Sequence, residues 1–104
     1  MRLRRYGRKP VEYSASFSSA SSIGQGVIID ISGGGCRARS AFLTHEGDRV
    51  GVVIRLPKNE NPIYVMRSII RWTNAPEFGM EFVDMEFNDR QRLNELIGSV
   101  GQGD

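Results

Sequence analysis

Two short runs carry the side chains best suited to holding a ligand. The first is Arg4-Arg5-Tyr6-Gly7-Arg8, with arginines at an R-x-x-x-R spacing. The second is Asp30-Ile31-Ser32-Gly33-Gly34-Gly35, which fits D-x-S-x-x-G. A guanidinium is a planar fork of donors that matches carboxylates, phosphates and the O6/N7 edge of guanine. An ionised aspartate only accepts and a serine hydroxyl does both, so Asp30 and Ser32 suit the donor edge of a base. Glycines at 33–35 remove side chains where a ligand would approach the backbone. Each run is weak alone. With 12 arginines in the chain, about one pair four apart is expected by chance, and the spacing recurs at Arg67 and Arg71. Asp and Ser ahead of glycines also serve ordinary turn chemistry.

Other chemistry finds little support. His45 is the single histidine and stands beside Glu46 in a connecting segment, as surface histidines do. Cys36 follows the glycines on a strand and reads as a small buried hydrophobe rather than a reactive thiol. These two are the only cysteine and histidine, which excludes a Cys-rich zinc site. Glu77, Glu81 and Asp84 read as solvated charges on a strand, not as a pair of catalytic carboxylates. The glycine run is no P-loop, because no Gly-Lys-Ser/Thr follows and no helix starts there. Neither an enzyme nor a metal site nor a cofactor is expected.

Composition points to a β protein. The 104 residues fit one domain. Val and Ile total 17 against 10 for Leu and Ala, and β-branched residues fit pleated strands. No run of about 18 apolar residues occurs, so no membrane span is expected. The charged N-terminus lacks the apolar stretch of a secretory signal, and one lone cysteine agrees with a reducing cytoplasmic setting. The formal net charge is +2, yet Arg2, Arg4, Arg5, Arg8 and Lys9 all precede the first acid, Glu12. The remainder is close to neutral. That pattern predicts a basic arm and no large nucleic-acid surface.

The elements that must position these residues follow from periodicity. Val11, Tyr13, Ala15 and Phe17 alternate with Glu12, Ser14 and Ser16, the pattern of a half-buried strand. A loop over 18–26 leads to a second strand with Val27, Ile29 and Ile31 inward and Asp30 and Ser32 on the opposite face. The glycine turn, a short strand from Cys36 to Arg39 and a connection over 40–49 follow. Val50, Val52, Ile54 and Leu56 mark a fourth strand. Tyr64, Met66, Ser68, Ile70 and Trp72 mark one face of a fifth, with Arg67 and Arg71 opposite. Phe78, Met80 and Phe82 line a sixth. Leu93, Leu96, Ile97 and Val100 then form an amphipathic helical stripe over 88–100, with Asn88 and Gln91 as a capping box. The expectation is an all-β fold with a C-terminal helix, a six-stranded antiparallel barrel. It divides into a basic ligand-binding arm at 1–9, a barrel with its helix at 10–100 and a flexible tail at 101–104.

In this order the motifs resemble the PilZ domain family. The resemblance runs from Arg4 to about Leu96. It takes in Pro10-Val11, the Asp30-to-Cys36 stretch, the Gly47 turn, Ile70-Arg71-Trp72 and the strand Phe78-Gly79-Met80-Glu81-Phe82. It implies a six-stranded barrel with a C-terminal helix that binds the bacterial second messenger cyclic di-GMP. By the family pattern Arg4 and Arg8 are the motif arginines, Arg5 is an adjacent contact, and Asp30, Ser32 and Gly35 fill the second motif, with Gly33 and Gly34 between them. Arg71 and Trp72 line the site by the same analogy, whereas their residue types alone read as a surface charge and a core ring. The resemblance implies a non-enzymatic cytoplasmic receptor or adaptor whose arm acts as a switch and whose signal passes to an unidentified protein partner. Two other readings stay open. One is a small barrel binding RNA or single-stranded nucleic acid through the arm, against which stands the lack of a basic strand face with exposed aromatics. The other is a PilZ-like protein-interaction module without nucleotide, against which stand the intact motifs.

Overall fold

The computed structural model describes residues 8–100, apart from the side chain of Val100. Arg4, Arg5, the greater part of the arm, the 101–104 tail and the Val100 end of the helical stripe lie outside the described residues. Strands β1 (Lys9–Ser18), β2 (Ile23–Ile31), β3 (Gly35–Ser40), β4 (Arg49–Ile54), β5 (Ile63–Asn74) and β6 (Glu77–Asp84) precede one helix, α1 (Phe87–Val100). A 3-10 turn at Pro57–Asn59 joins β4 to β5. The strands close into an antiparallel barrel in the order β1-β2-β3-β6-β5-β4. Closure pairs β1 with β4 over Ala15–Ser18 and so covers part of what would be the sheet's two outer edges.

Inward side chains fill the barrel. Ala15, Phe17, Ile28, Ile31, Cys36, Val50, Val52, Ile54, Ile70, Phe78, Met80 and Phe82 are all buried. Phe17 stacks on Phe42 at 5.7 Å between ring centroids and meets Phe78 edge-on at 5.3 Å. Phe42 comes from the β3–β4 connection, so that segment contributes to the core. Ser68 is buried without penalty, because its Oγ donates to the Val50 carbonyl at 2.8 Å.

Helix α1 docks as its stripe predicts. Leu93 is fully buried, and Leu96 and Ile97 pack against the core. Full burial of one such leucine stabilises by about 1.5–3 kcal/mol. Polar ties add direction. Asp89 Oδ1 accepts from the Tyr64 amide at 3.0 Å, and Arg92 Nη1 donates to the Pro62 carbonyl at 2.9 Å. Arg90 Nη1 donates to the Gly33 carbonyl. The helix opens earlier than the capping-box pattern predicts. Phe87 is its first residue, and the Arg90 amide donates to the Glu86 carbonyl at 2.9 Å, so Asn88 lies inside the helix.

The other departures come mostly from bulges. In β2 the register slips between Ile28 and Asp30, so Ile28 and Ile31 are buried while Ile29 is not. In β5 the pairing with β4 slips: Val52 faces Val65 and Val50 faces Ser68, so β5 carries one extra residue between them. One extra residue moves the preceding side chains to the other face. Ile63 and Val65 therefore point inward, and Tyr64 and Met66, expected inside, are exposed. The expected loop over 18–26 shortens, because β2 begins at Ile23 and pairs with β1 from there. Its Gly24, Gln25 and Gly26 carry poor strand propensity, and the pairing overrides it.

Candidate functional site

Arg8, the described end of the first motif, meets the second motif on the barrel wall. Asp30 lies at the β2 bulge, opposite Pro10 of β1 and Arg37 of β3. Its side chain keeps 15% of its exposure. Arg8 Nη2 lies 3.2 Å from Asp30 Oδ1, and Arg37 Nε lies 3.1 Å from Oδ2. These are ion pairs by distance without hydrogen-bond alignment. Asp30 Oδ1 and Arg37 Nε are consequently buried with no hydrogen-bond partner among the described residues. Buried polar atoms are ordinarily satisfied, so this carboxylate retains capacity for a further donor.

The residues after Asp30 build the turn. Ser32 is buried. Its Oγ donates to the Gly35 carbonyl at 3.3 Å and accepts from the Gly34 amide at 3.2 Å, while its amide donates to the Gly35 carbonyl at 2.8 Å. The Ser32 hydroxyl thus holds the turn in shape. Gly35 is required by packing, since a Cβ there would collide with the Met80 carbonyl of β6. A Cβ on Gly34 would meet nothing, so the outer side of the turn is open. Gly33 is tied through its carbonyl to Arg90 of α1.

Cross-strand register adds residues that sequence reading left aside. Asp30 pairs with Arg37, Arg37 with Gly79, and Gly79 with Trp72, one row across β2, β3, β6 and β5. Trp72 is 38% exposed, and a Cβ on Gly79 would collide with its indole Nε1. The ring therefore lies over bare backbone on the outer wall and is not part of the core. Arg71 is a surface charge, its Nε donating to Glu81 Oε1 at 2.7 Å. Glu77 accepts from Arg39 Nη2 at 2.7 Å and lies 3.7 Å from Arg37 Nη1. A signal for Arg37 and Arg39 was present: they flank the inward Ala38 and so share the outer face of β3. Cys36 is buried, and burial pushes its thiol well above the ordinary range, reinforced by the Asp30 charge and opposed by Arg8. A buried thiol that holds its proton is a small apolar side chain of the core.

The sequence matches the family model described as the PilZ domain over residues 2–99. The chain belongs to the PilZ domain family. Two solved structures share the fold. One is the Bacillus subtilis inhibitor of motility, MotI/DgrA, with a TM-score of 0.77 and 19% identity over 95% of this chain and 51% of that one. This chain thus spans about half the length of that protein. The other is the PilZ domain of CeSA from a cellulose-synthesizing bacterium, with a TM-score of 0.70 and 17% identity over 88% of this chain and 95% of that one. No curated protein matches the sequence. Within this PilZ domain the described motif residues Arg8, Asp30, Ser32, Gly33, Gly34 and Gly35 gather at one place, and Trp72 joins their outer face from β5. Among the described residues no helix is long and apolar enough to cross a membrane.

Proposed function

We propose that this PilZ domain is a non-enzymatic receptor for cyclic di-GMP, acting in the cytoplasm of a bacterium as an adaptor that changes conformation on binding and passes the signal to a protein partner. The observation that supports this reading is the Asp30 carboxylate, flanked by Arg8 and Arg37, with unused acceptor capacity beside an open glycine turn. Guanine carries N1–H and N2–H donors on one edge and the O6 and N7 acceptors on another. Asp30 takes the donor edge. Arg8, whose ion pair is one-third exposed on the arginine side and so costs little to open, turns its fork to O6 and N7 or to a phosphate. Arg4 and Arg5 of the arm meet the phosphodiesters. Trp72 offers a face on which a base stacks. Ser32 and Gly35 keep the turn in place, and Gly33 and Gly34 leave its outer side clear.

Calorimetric titration with cyclic di-GMP beside cyclic di-AMP and GTP, at about 0.15 M salt, tests the reading. Saturable binding of cyclic di-GMP with strong preference over the other two is expected. Equal affinity for both cyclic dinucleotides overturns base reading by Asp30 and favours a general phosphate binder of the single-strand type, since both carry the same phosphates. Binding of none favours a protein-interaction module.

A further inference from the structure

Asp30 is held from two sides, and one of its holders is itself held. Arg8 reaches Oδ1 from just ahead of β1, at the end of the arm, while Arg37 reaches Oδ2 from within β3. Arg37 Nη1 faces Glu77 Oε1 at 3.7 Å, and Glu77 Oε2 bonds Arg39 Nη2 at 2.7 Å. Charge thus alternates from Arg8 through Asp30, Arg37 and Glu77 to Arg39. The proposed ligand draws Arg8 away from Asp30. Arg37 is held at both ends, its backbone between β2 and β6 in the pairs Asp30↔Arg37 and Arg37↔Gly79 and its guanidinium between Asp30 and Glu77.

We infer that Arg37, anchored by Glu77, is a positioning residue that holds Oδ2 of Asp30 and so presents Oδ1 to the donor edge of guanine, setting the base specificity of the site. The inference rests on the reading of Asp30 as the guanine acceptor. A carboxylate with two free side-chain torsions turns toward water unless something holds it. The guanidinium can face two carboxylates at once, Asp30 through Nε and Glu77 through Nη1. A lysine ammonium is a single point on a flexible stem and cannot reproduce that bridge. The competing account is that Arg37 merely adds positive potential. The two accounts differ in what they do to ligand choice. General charge acts equally on every cyclic dinucleotide, whereas a positioned carboxylate senses the N2 amine.

Cyclic di-IMP differs from cyclic di-GMP only in lacking that amine on each base. Affinities for both are measured by calorimetry on the wild type and on Arg37→Met, Arg37→Lys and Glu77→Gln, with melting curves to verify folding. The wild type is expected to favour the guanine ligand by about tenfold or more, the effect of one hydrogen bond to a charged group. The preference collapses to within about twofold in both Arg37 variants and narrows in Glu77→Gln. That last result opposes simple electrostatics, because removing a negative charge should tighten binding of both anionic ligands. If Arg37→Met fails to fold, Arg37→Lys and Glu77→Gln carry the test. A wild-type preference that survives in Arg37→Lys and Glu77→Gln, including any weakening equal for both ligands, overturns the inference and leaves the Asp30 reading standing. A wild type that binds neither ligand, or both alike, overturns the Asp30 reading and this inference with it.

Discussion

Gly79 lies beneath the indole of Trp72, its cross-strand partner on β5. The ring stays flat on the outer wall only because no side chain stands there. Gly79→Val is expected to push the indole outward and to destabilise the domain by about 1–3 kcal/mol, as overpacking does. Trp72 is the one tryptophan, so a red shift of intrinsic fluorescence reports its displacement directly. An unchanged spectrum would show that the ring does not rest on Gly79. Weakened cyclic di-GMP binding in the same variant is the expected sign that this face stacks a base.

Leu93 carries the docking of α1. Truncation to alanine leaves a cavity against the barrel, and Leu93→Ala should lose about 2–5 kcal/mol of unfolding free energy. Urea denaturation followed by far-ultraviolet circular dichroism measures it. A midpoint equal to that of the wild type would mean that the helix is not packed.

In the proposed function Asp30 and Arg8 divide the reading of guanine between them. In Asp30→Ala the affinity for cyclic di-GMP should fall far more than that for cyclic di-AMP, because adenine has no N2 amine and its N1 is an acceptor. Arg8→Lys keeps the charge and loses the fork, and a loss of about 1–3 kcal/mol follows if Arg8 makes a bidentate contact with a base. Near-wild-type affinity in Arg8→Lys would reduce the arm to a source of charge.

Cys36 gives a pH dependence with a definite sign. Its thiol is raised above the ordinary value of 9.0, chiefly by burial. The folded state keeps the proton at pH values where the unfolded chain has lost it, so this contribution is complete below pH 9 and stability declines as pH rises beyond it. Unfolding titrations from pH 7 to 10.5 should show a steeper alkaline decline for the wild type than for Cys36→Ala. Iodoacetamide at pH 8 should label the native protein far more slowly than the unfolded one.

Much of this architecture is legible in the chain. The alternation of Phe78, Met80 and Phe82 survives as burial because β6 stays in step with β3 from Phe78 to Glu81, and the slip against β5 there puts its extra residue, Arg71, on β5. The Leu93, Leu96 and Ile97 stripe survives because a helix face needs no partner strand to define it. Tyr64 and Met66 mislead because β5 carries one residue more than β4 between Val65 and Ser68, and a single chain carries no record of its partner's register. The site shows the same division. Asp30 and Arg8 announce themselves by residue type and spacing. Arg37 gains meaning from the cross-strand row that runs from Asp30 through Arg37 and Gly79 to the outward Trp72, and Glu77 from its pairing with Arg39 alongside that row.

Gly35 belongs to the binding motif by its spacing, yet the Met80 carbonyl behind it is what forbids any larger residue. Asp30 and Arg8 face no backbone wall of this kind: Arg8 stands ahead of β1, and the nearest groups to the Asp30 carboxylate are the Arg8 and Arg37 side chains. In the proposed reading, architecture and recognition are therefore encoded by separable positions of the two motifs. On the proposed reading, a lineage that abandoned the ligand could discard the aspartate and the arginine while the barrel endured, but it could not discard the glycine. The presence of that glycine in a sequence vouches for the scaffold, and only its neighbours vouch for the message.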